Sequence, residues 1–201
     1  GIFYEFIPMD TFGTLNQRVI RLNQVELNKN YALVITTNSG LWRYLIGDTI
    51  RFTSLSPYRI KVTGRTKHHI NVFGEELMVE NTDAAIAKTC ALFDCEIVDY
   101  TVAPVFMSET QKGSHEWIIE FKNPPEDVEK FSMILDENIQ SLNSDYEAKR
   151  YNNMTLNPLV LNVARKNLFY DWLKQNDKLG GQHKIPRLSN DRNYLESLLN
   201  L

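Results

Sequence analysis

Three short segments of the chain carry residue types that suit nucleotide chemistry. Asp48 follows Gly47 between two alternating apolar segments, which predicts an acid at the tip of a β turn. Such an acid can accept hydrogen bonds from both hydroxyls of a ribose. Arg65, within Gly64-Arg65-Thr66-Lys67, offers a planar fork for phosphate or carboxylate. Lys184 lies in a loop with two glycines, where its charge can meet a developing negative charge. These segments predict a nucleotide site beside a hinge.

Each segment also has a purely structural explanation. Gly-Asp is common turn chemistry, so Asp48 can be an ordinary hairpin residue. Gly64-Arg65-Thr66-Lys67 can be an exposed basic turn between strands. The segment from Gly180 to Arg187 can be a solvated loop before the last helix. Taken singly, the three segments leave both explanations open.

Other chemistries have weaker support in the sequence. His68 and His69 are adjacent, so in a strand they point to opposite faces and cannot easily share a metal. Cys90 and Cys95 lack His or Cys partners at ligand spacing, and we expect two small reduced apolar residues. Neither a Walker-type phosphate loop nor a Ser-His-Asp arrangement is evident. We therefore predict no metal site.

Composition narrows the class of protein. The 201 residues are 43% apolar and 23% charged, and the net charge is −3, which argues against a general nucleic-acid binder. No apolar run approaches the roughly 18 to 20 residues that span a bilayer, and no signal peptide is visible. We expect a cytoplasmic protein without a membrane partner. The sequence leaves the oligomeric state open.

Periodicity predicts an α+β protein whose pattern changes near Gly64. The first 63 residues read as strands, in a meander or small distorted barrel: Ile2–Ile7, Val19–Leu27, Tyr31–Thr37, Leu41–Ile46, Thr49–Thr53 and Tyr58–Thr63. From Gly64 onward, helical and strand patterns alternate. The predicted helices are Val79–Leu92, one that starts after Pro124-Pro125 and runs to about Leu142, Leu168–Gln175 and Asn190–Leu199. We therefore predict two domains, residues 1–63 and 64–201, with a hinge at 64–67.

The order and spacing of these motifs resemble those of one known family. Phe3-Tyr4-Glu5-Phe6-Ile7-Pro8, the segment from Gly40 to Asp48, the segment from Gly64 to Glu76, and Gln182-His183-Lys184-Ile185-Pro186-Arg187 each resemble a family motif. The family is that of the auxin-responsive acyl acid–amido synthetases, the Gretchen Hagen family, and especially its bacterial relatives. It belongs to the adenylate-forming superfamily. One departure is Phe3, where the family has tyrosine.

The resemblance implies a ligase that uses ATP and Mg²⁺ to activate a carboxylic acid as an acyl-adenylate. The acyl group then passes to an amine, usually an amino acid. By resemblance, Asp48 and Arg65 bind the nucleotide, with Phe3 and Tyr4 beside it. Gly64 and Lys67 mark the hinge, and Lys184 approaches the reacting carboxylate and α-phosphate.

The resemblance also implies a partial enzyme. We expect residues 1–63 to be the terminal β subdomain of a larger nucleotide- and acyl-binding domain, and residues 64–201 a mobile lid. The family's phosphate loop is absent from this sequence, so the chain alone is expected to be inactive. Two alternatives stay open: a thioester-forming ligase that uses coenzyme A, and a binding module that keeps the fold without catalysis.

Overall fold

The computed structural model describes residues 1–66, 68–109, 111–153, 155–180 and 184–201. The chain divides into two compact units, Gly1–Lys67 and His68–Leu201. Among the described residues, no helix combines the length and the apolar character needed to cross a membrane.

The first unit is a five-stranded antiparallel sheet in the order β2-β1-β3-β4-β5. Its strands are β1 (Ile2–Pro8), β2 (Ile20–Arg21), β3 (Asn30–Thr37), β4 (Tyr44–Leu55) and β5 (Tyr58–Arg65). Inward-facing aromatic side chains build its core, and the rings of Phe6, Tyr31 and Phe52 meet edge to face. Such pairs add to the stabilisation from their burial.

Two predictions for this unit were wrong. The predicted strand Val19–Leu27 is the short strand β2 followed by a 3-10 turn, Leu22–Gln24. The Gln24 side chain accepts a hydrogen bond from the Arg21 amide at 2.9 Å, which favours the turn over further pairing. The predicted strands on either side of Gly47-Asp48 are one continuous strand, β4.

The second unit places helices on both faces of a three-stranded sheet. The strands β8 (Glu96–Val105), β9 (Ser114–Asn123) and β10 (Val160–Val163) lie in the order β10-β9-β8, with β9 antiparallel to β8 and parallel to β10. A short pair, β6 (His69–Ile70) and β7 (Leu77–Met78), precedes them. The helices are α1 (Val79–Phe93), α2 (Val128–Leu142), α3 (Ser144–Arg150), α4 (Leu168–Gln175) and α5 (Asn193–Leu199).

The two-residue alternation of β9 explains this layering. Trp117 and Ile119 join the core formed with α1 and α2, whereas Ile118 joins the core formed with α4 and α5. All three side chains are buried. A strand covered on both faces favours apolar residues on both sides, and the consecutive apolar residues Trp117-Ile118-Ile119 at the centre of β9 fit that position.

A buried ion pair ties the helices of the second unit together. The Asp136 carboxylate of α2 accepts hydrogen bonds from Arg150 Nη2 at 2.8 Å and from the Tyr146 hydroxyl at 2.7 Å. It also accepts from the Leu159 amide at 3.3 Å. Both charged side chains are less than a tenth exposed. Short helix α3, which periodicity did not predict, is therefore fixed by this network.

Candidate nucleotide and lysine sites

Asp48 and Arg65 face each other across β4 and β5. They are register partners, and Arg65 Nε lies 3.3 Å from Asp48 Oδ1. Beneath them, Thr63 and Thr49 share a buried hydroxyl hydrogen bond of 3.0 Å. The pair itself is partly exposed, at 66% for Arg65 and 35% for Asp48. An acid and a guanidinium thus stand side by side on an accessible sheet surface, where a ribose and a phosphate could each find a partner.

Asp48 lies at a bulge in a strand rather than at the tip of a turn, which corrects the sequence prediction. Between the pairs Val34–Leu45 and Ala32–Thr49, β4 has more residues than β3. Gly47 takes up the excess with a φ of 90°, a conformation that other residues rarely adopt. The Gly47 carbonyl accepts from the Thr66 amide at 2.9 Å, which holds the end of β5 beside the bulge. The bulge aims Asp48 outward without ending the strand.

The structure describes only one of the two predicted hinge residues, Gly64 and Lys67. Gly64 lies within β5 opposite Thr49, so Gly64 and Arg65 belong to the first sheet and do not form an exposed joint. Lys67 lies outside the described residues. The hinge role of both residues stays a prediction.

Phe3 and Tyr4 lie on β1, which β3 separates from β4 and therefore from Asp48. Their side chains are 53% and 43% exposed, and both line a cavity of about 410 Å³ with Arg21. The structure thus groups them at another part of the sheet. Their predicted place beside a nucleotide stays a prediction.

One contact that sequence reasoning missed joins two of the family-like motifs. Glu5, in the first motif, accepts a hydrogen bond from Arg43 Nε at 3.1 Å. The Glu5 side chain is 17% exposed and the Arg43 side chain 61%. The sequence carried one signal for this contact: each of the two segments is largely apolar or aromatic and contains a charged residue within it. The pair connects β1 with the residue immediately before β4.

Lys184 lies in the second unit, where the residues that follow it are fixed to β8. Ile185 is buried in the core with α4 and α5. The Pro186 carbonyl accepts from the Thr101 hydroxyl at 2.7 Å, and the Arg187 carbonyl from the Val102 amide at 2.8 Å. Lys184 is itself exposed. The predicted loop lysine therefore projects from an anchored segment, whereas residues 181–183 before it lie outside the described ones.

Lys184 lines a cavity of about 620 Å³ together with Asp99, Arg187 and apolar side chains of α4. Arg187 Nη1 donates to both oxygens of Asp83 at 2.7 Å, and its Nε lies 3.9 Å from Asp99 Oδ1. Burial raises the pKa of the Asp99 carboxyl, against the opposing effects of the Tyr100 amide and the charges of Arg187 and Lys184. Asp99 was missed by sequence reasoning. The available signal was an acid in the middle of a largely apolar strand.

A second polar cluster in this unit is fully buried. His115 Nε2 lies 2.8 Å from Glu75 Oε1, and neither side chain is exposed. Glu75 also accepts from the Phe73 amide at 2.7 Å, and the His115 ring stacks on Tyr146. Because neither the His115 nor the Glu75 side chain is exposed, this cluster is not accessible to a substrate in this structure. The described residues include no group of three or more His, Cys, Asp or Glu placed to hold a metal ion.

Comparison with solved structures identifies the fold. The solved structure named GH3.15 acyl acid amido synthetase has a TM-score of 0.69, 22% identity, and coverage of 99% of this chain and 36% of its own. A 2-hydroxyisobutyryl-CoA ligase in the postadenylation state has a TM-score of 0.50 and 14% identity, with 90% and 35% coverage. The chain thus shares the fold of the corresponding parts of these two ligases.

The family follows from the sequence matches. The GH3 family central domain matches residues 1–65 and the GH3 family C-terminal domain matches residues 80–193, so the chain belongs to the GH3 family. It is 26% identical over 200 residues to an indole-3-acetic acid-amido synthetase, GH3.3 of Arabidopsis thaliana, covering 92% of this chain. The chain spans about a third of the length of the curated relatives that it matches. The bacterial affinity expected from the sequence stays a prediction.

Proposed function

We propose that the protein carrying this chain is an ATP-dependent ligase that joins a carboxylic acid to an amino acid through an acyl-adenylate. The observation that carries this proposal is the match to both GH3 domains, in chain order and over most of the sequence. The name of the GH3.3 relative, an amido synthetase, supports an amide as the product. A cytoplasmic location is part of the same proposal.

The first step would form the acyl-adenylate. An oxygen of the substrate carboxylate attacks the α-phosphorus of ATP, the bond to the bridging oxygen breaks, and pyrophosphate leaves. Asp48 would accept hydrogen bonds from the ribose hydroxyls, and Arg65, already 3.3 Å from it, would add a cation for ribose or phosphate oxygens. Phe3 and Tyr4 would lie beside the nucleotide. Lys184 would place its ammonium against the oxygens that gain charge.

The second step would form the amide. The acceptor nitrogen, as the neutral amine, attacks the acyl carbon, the bond from that carbon to the AMP oxygen breaks, AMP leaves, and the nitrogen gives one proton to solvent. Family resemblance implies Mg²⁺ in the first step. The described residues include no carboxylate and histidine cluster that fits a protein-held metal ion, so we assign it no ligand and no step.

A thioester product is the alternative within the same chemistry. The likeness to the 2-hydroxyisobutyryl-CoA ligase is 14% in sequence and supports the shared fold alone, whereas the family matches favour an amide. We therefore place the amide ligase first.

The full-length protein tests the proposal by ATP–pyrophosphate exchange with a panel of carboxylic acids, followed by product analysis with amino acids or coenzyme A. We expect exchange that depends on the acid, and an amide product. Exchange with only an acyl-CoA product would move the assignment to a thioester ligase. Exchange with none of the acids would favour the non-catalytic binding module.

A further inference from the structure

The cavity beside Lys184 is lined by charges of both signs, by the His68 side chain and by apolar side chains. Asp99, Lys184 and Arg187 supply the charges, and Phe169 and Leu173 of α4 supply apolar surface with Val98 of β8. Its volume, about 620 Å³, lies within the range of small-molecule sites. All these residues belong to the second unit.

We propose that this cavity binds the acceptor amino acid, with Asp99 receiving its ammonium group, Arg187 its carboxylate, and α4 an aliphatic side chain. The inference rests on the proposed amide ligase and names the substrate that the second unit would contribute. Neither the family matches nor the resemblance assigns a role to Asp99.

Asp99 suits an ammonium ligand because its charge is incompletely satisfied. Its Oδ1 accepts from its neighbour, the Tyr100 amide, at 2.9 Å, and Arg187 Nε lies beyond hydrogen-bond length at 3.9 Å. Within the described part of the chain, no hydrogen bond to Oδ2 is recorded. Burial also raises the pKa of this carboxyl. A bound ammonium would supply the missing donor and counter-charge.

Arg187 suits the carboxylate because it is held rigidly and only partly used. Its Nη1 donates hydrogen bonds of 2.7 Å to both carboxylate oxygens of Asp83, and the guanidinium lies over the Tyr100 ring, 5.2 Å from the ring centroid. Across the described residues, the Arg187 side chain donates hydrogen bonds through Nη1 alone, and it is 44% exposed. Nε and Nη2 thus present a fork that fits a carboxylate.

The two charges lie close enough together for one α-amino acid to contact both. In such a ligand, one carbon atom separates the nitrogen from the carboxyl group. Asp99 and Arg187, 3.9 Å apart, present opposite charges at comparably close range. A simple amine would satisfy Asp99 and leave Arg187 unused, so the site predicts discrimination between leucine and 3-methylbutylamine, which differ only by the carboxylate.

The test uses the full-length protein and measures amide formation with leucine and 3-methylbutylamine alongside ATP–pyrophosphate exchange. We expect leucine to be preferred at least tenfold in kcat/KM. The factor by which Asp99→Asn raises the KM for leucine should be at least ten times the factor by which it changes the rate of ATP–pyrophosphate exchange. Glu96→Gln is the matched control, since Glu96 lies on the same strand and pairs with exposed Lys122. Arg187→Gln should remove the preference for leucine.

The outcomes separate the inference from the function on which it rests. Acid-dependent exchange combined with equal leucine KM values for Asp99→Asn and Glu96→Gln would overturn the acceptor site alone. Complete absence of exchange in the unmodified protein would overturn the ligase. Saturation-transfer NMR with leucine adds a readout that needs no turnover: a signal lost in Asp99→Asn and kept in Glu96→Gln supports the site, and equal signals contradict it.

Discussion

Asp48 and Arg65 are cross-strand partners whose charged atoms lie 3.3 Å apart at the bulge of β4. Because the pair is partly exposed, its own contribution to stability is small, on the order of 0 to 1 kcal/mol. The bulge, by contrast, is fixed by the Thr66–Gly47 hydrogen bond and by buried Thr49 and Thr63. The position of the acid therefore depends on backbone pairing more than on the arginine beside it.

Replacing Asp48 tests the ribose assignment. Asp48→Asn in the full-length protein should raise the KM for ATP roughly ten- to hundredfold, since a hydrogen bond to a charged group contributes about 1.5 to 3 kcal/mol. Exchange kinetics at varied ATP give this value. Asp10→Asn is the control, because Asp10 is an exposed acid of the same unit that forms an ion pair with Arg18 at 3.7 Å. Equal KM values in the two variants would contradict the assignment.

Lys184→Ala tests the assigned role of the lysine. Exchange should fall roughly a hundred- to a thousandfold, the usual cost of removing a preorganised donor. Since Lys184 is exposed and its neighbour Ile185 provides the anchorage, circular dichroism and the unfolding midpoint should not change. Lys166→Ala, another exposed lysine of the same unit, should keep full exchange. Unchanged exchange in Lys184→Ala would remove the lysine from the mechanism.

Asp136 should be a main determinant of stability in the second unit. Asp136→Asn leaves the buried Arg150 without its counter-charge, so the free energy of unfolding should fall by about 3 to 5 kcal/mol. Urea denaturation measures the change. Glu137→Gln, an exposed neighbour on α2, should stay within about 0.5 kcal/mol of the parent. Comparable losses in both variants would mean that the network is not the cause.

Asp99 should lower stability at neutral pH. Burial raises the pKa of its carboxyl in the folded state, so folding favours the protonated form. This contribution is present at low pH and is lost as pH rises through the raised pKa. Asp99→Asn should therefore unfold at higher urea concentration than the parent at pH 7, and the difference should vanish in acid. A lower midpoint at pH 7 would show that the carboxylate is stabilising.

Cys90 should be a poor nucleophile. Burial, and next the hydrogen bond with Cys95, raise the pKa of its thiol from 9.0 to about 12. At pH 8 the thiolate fraction is then roughly a thousandth of that of an ordinary cysteine. Alkylation by iodoacetamide, followed by mass spectrometry, should be at least a hundredfold slower in the folded protein than in urea. Rapid alkylation of the native thiol would contradict this environment.

The sequence predicted the elements that have strong periodicity. Helix α4 lies at the predicted bounds, Leu168–Gln175, because its apolar positions recur at helical spacing and are buried. Helix α3 was missed because seven residues give too short a pattern. Helix α3 is held in place by its residues Tyr146 and Arg150, whose side chains donate hydrogen bonds to Asp136 of α2. Such a tertiary network has no local signature.

The candidate site was predicted by residue type and not by geometry. Asp48 and Arg65 were both proposed from the sequence, yet their direct pairing depends on strand register, and the Gly-Asp dipeptide indicated a turn where a bulge exists. Asp99 and Lys184 are 85 positions apart in sequence, and only the return of residues 186–189 along β8 makes them line one cavity. Spacing along the chain cannot reveal this kind of proximity.

The anchorage of residues 185–188 on β8 limits where Lys184 can act. Ile185 is buried in the core, and the Arg187 carbonyl accepts a hydrogen bond from the Val102 amide, so the Cα of Lys184 is held in place relative to β8. Its ammonium can then sweep a sphere of only about 6 Å around its Cα, the length of its four-carbon stem. A group that Lys184 contacts must therefore come within that distance of its Cα, since the segment that carries the lysine is fixed to β8. Lengthening the side chain, rather than loosening its support, is the change that would widen the reach of the Lys184 ammonium within the second unit.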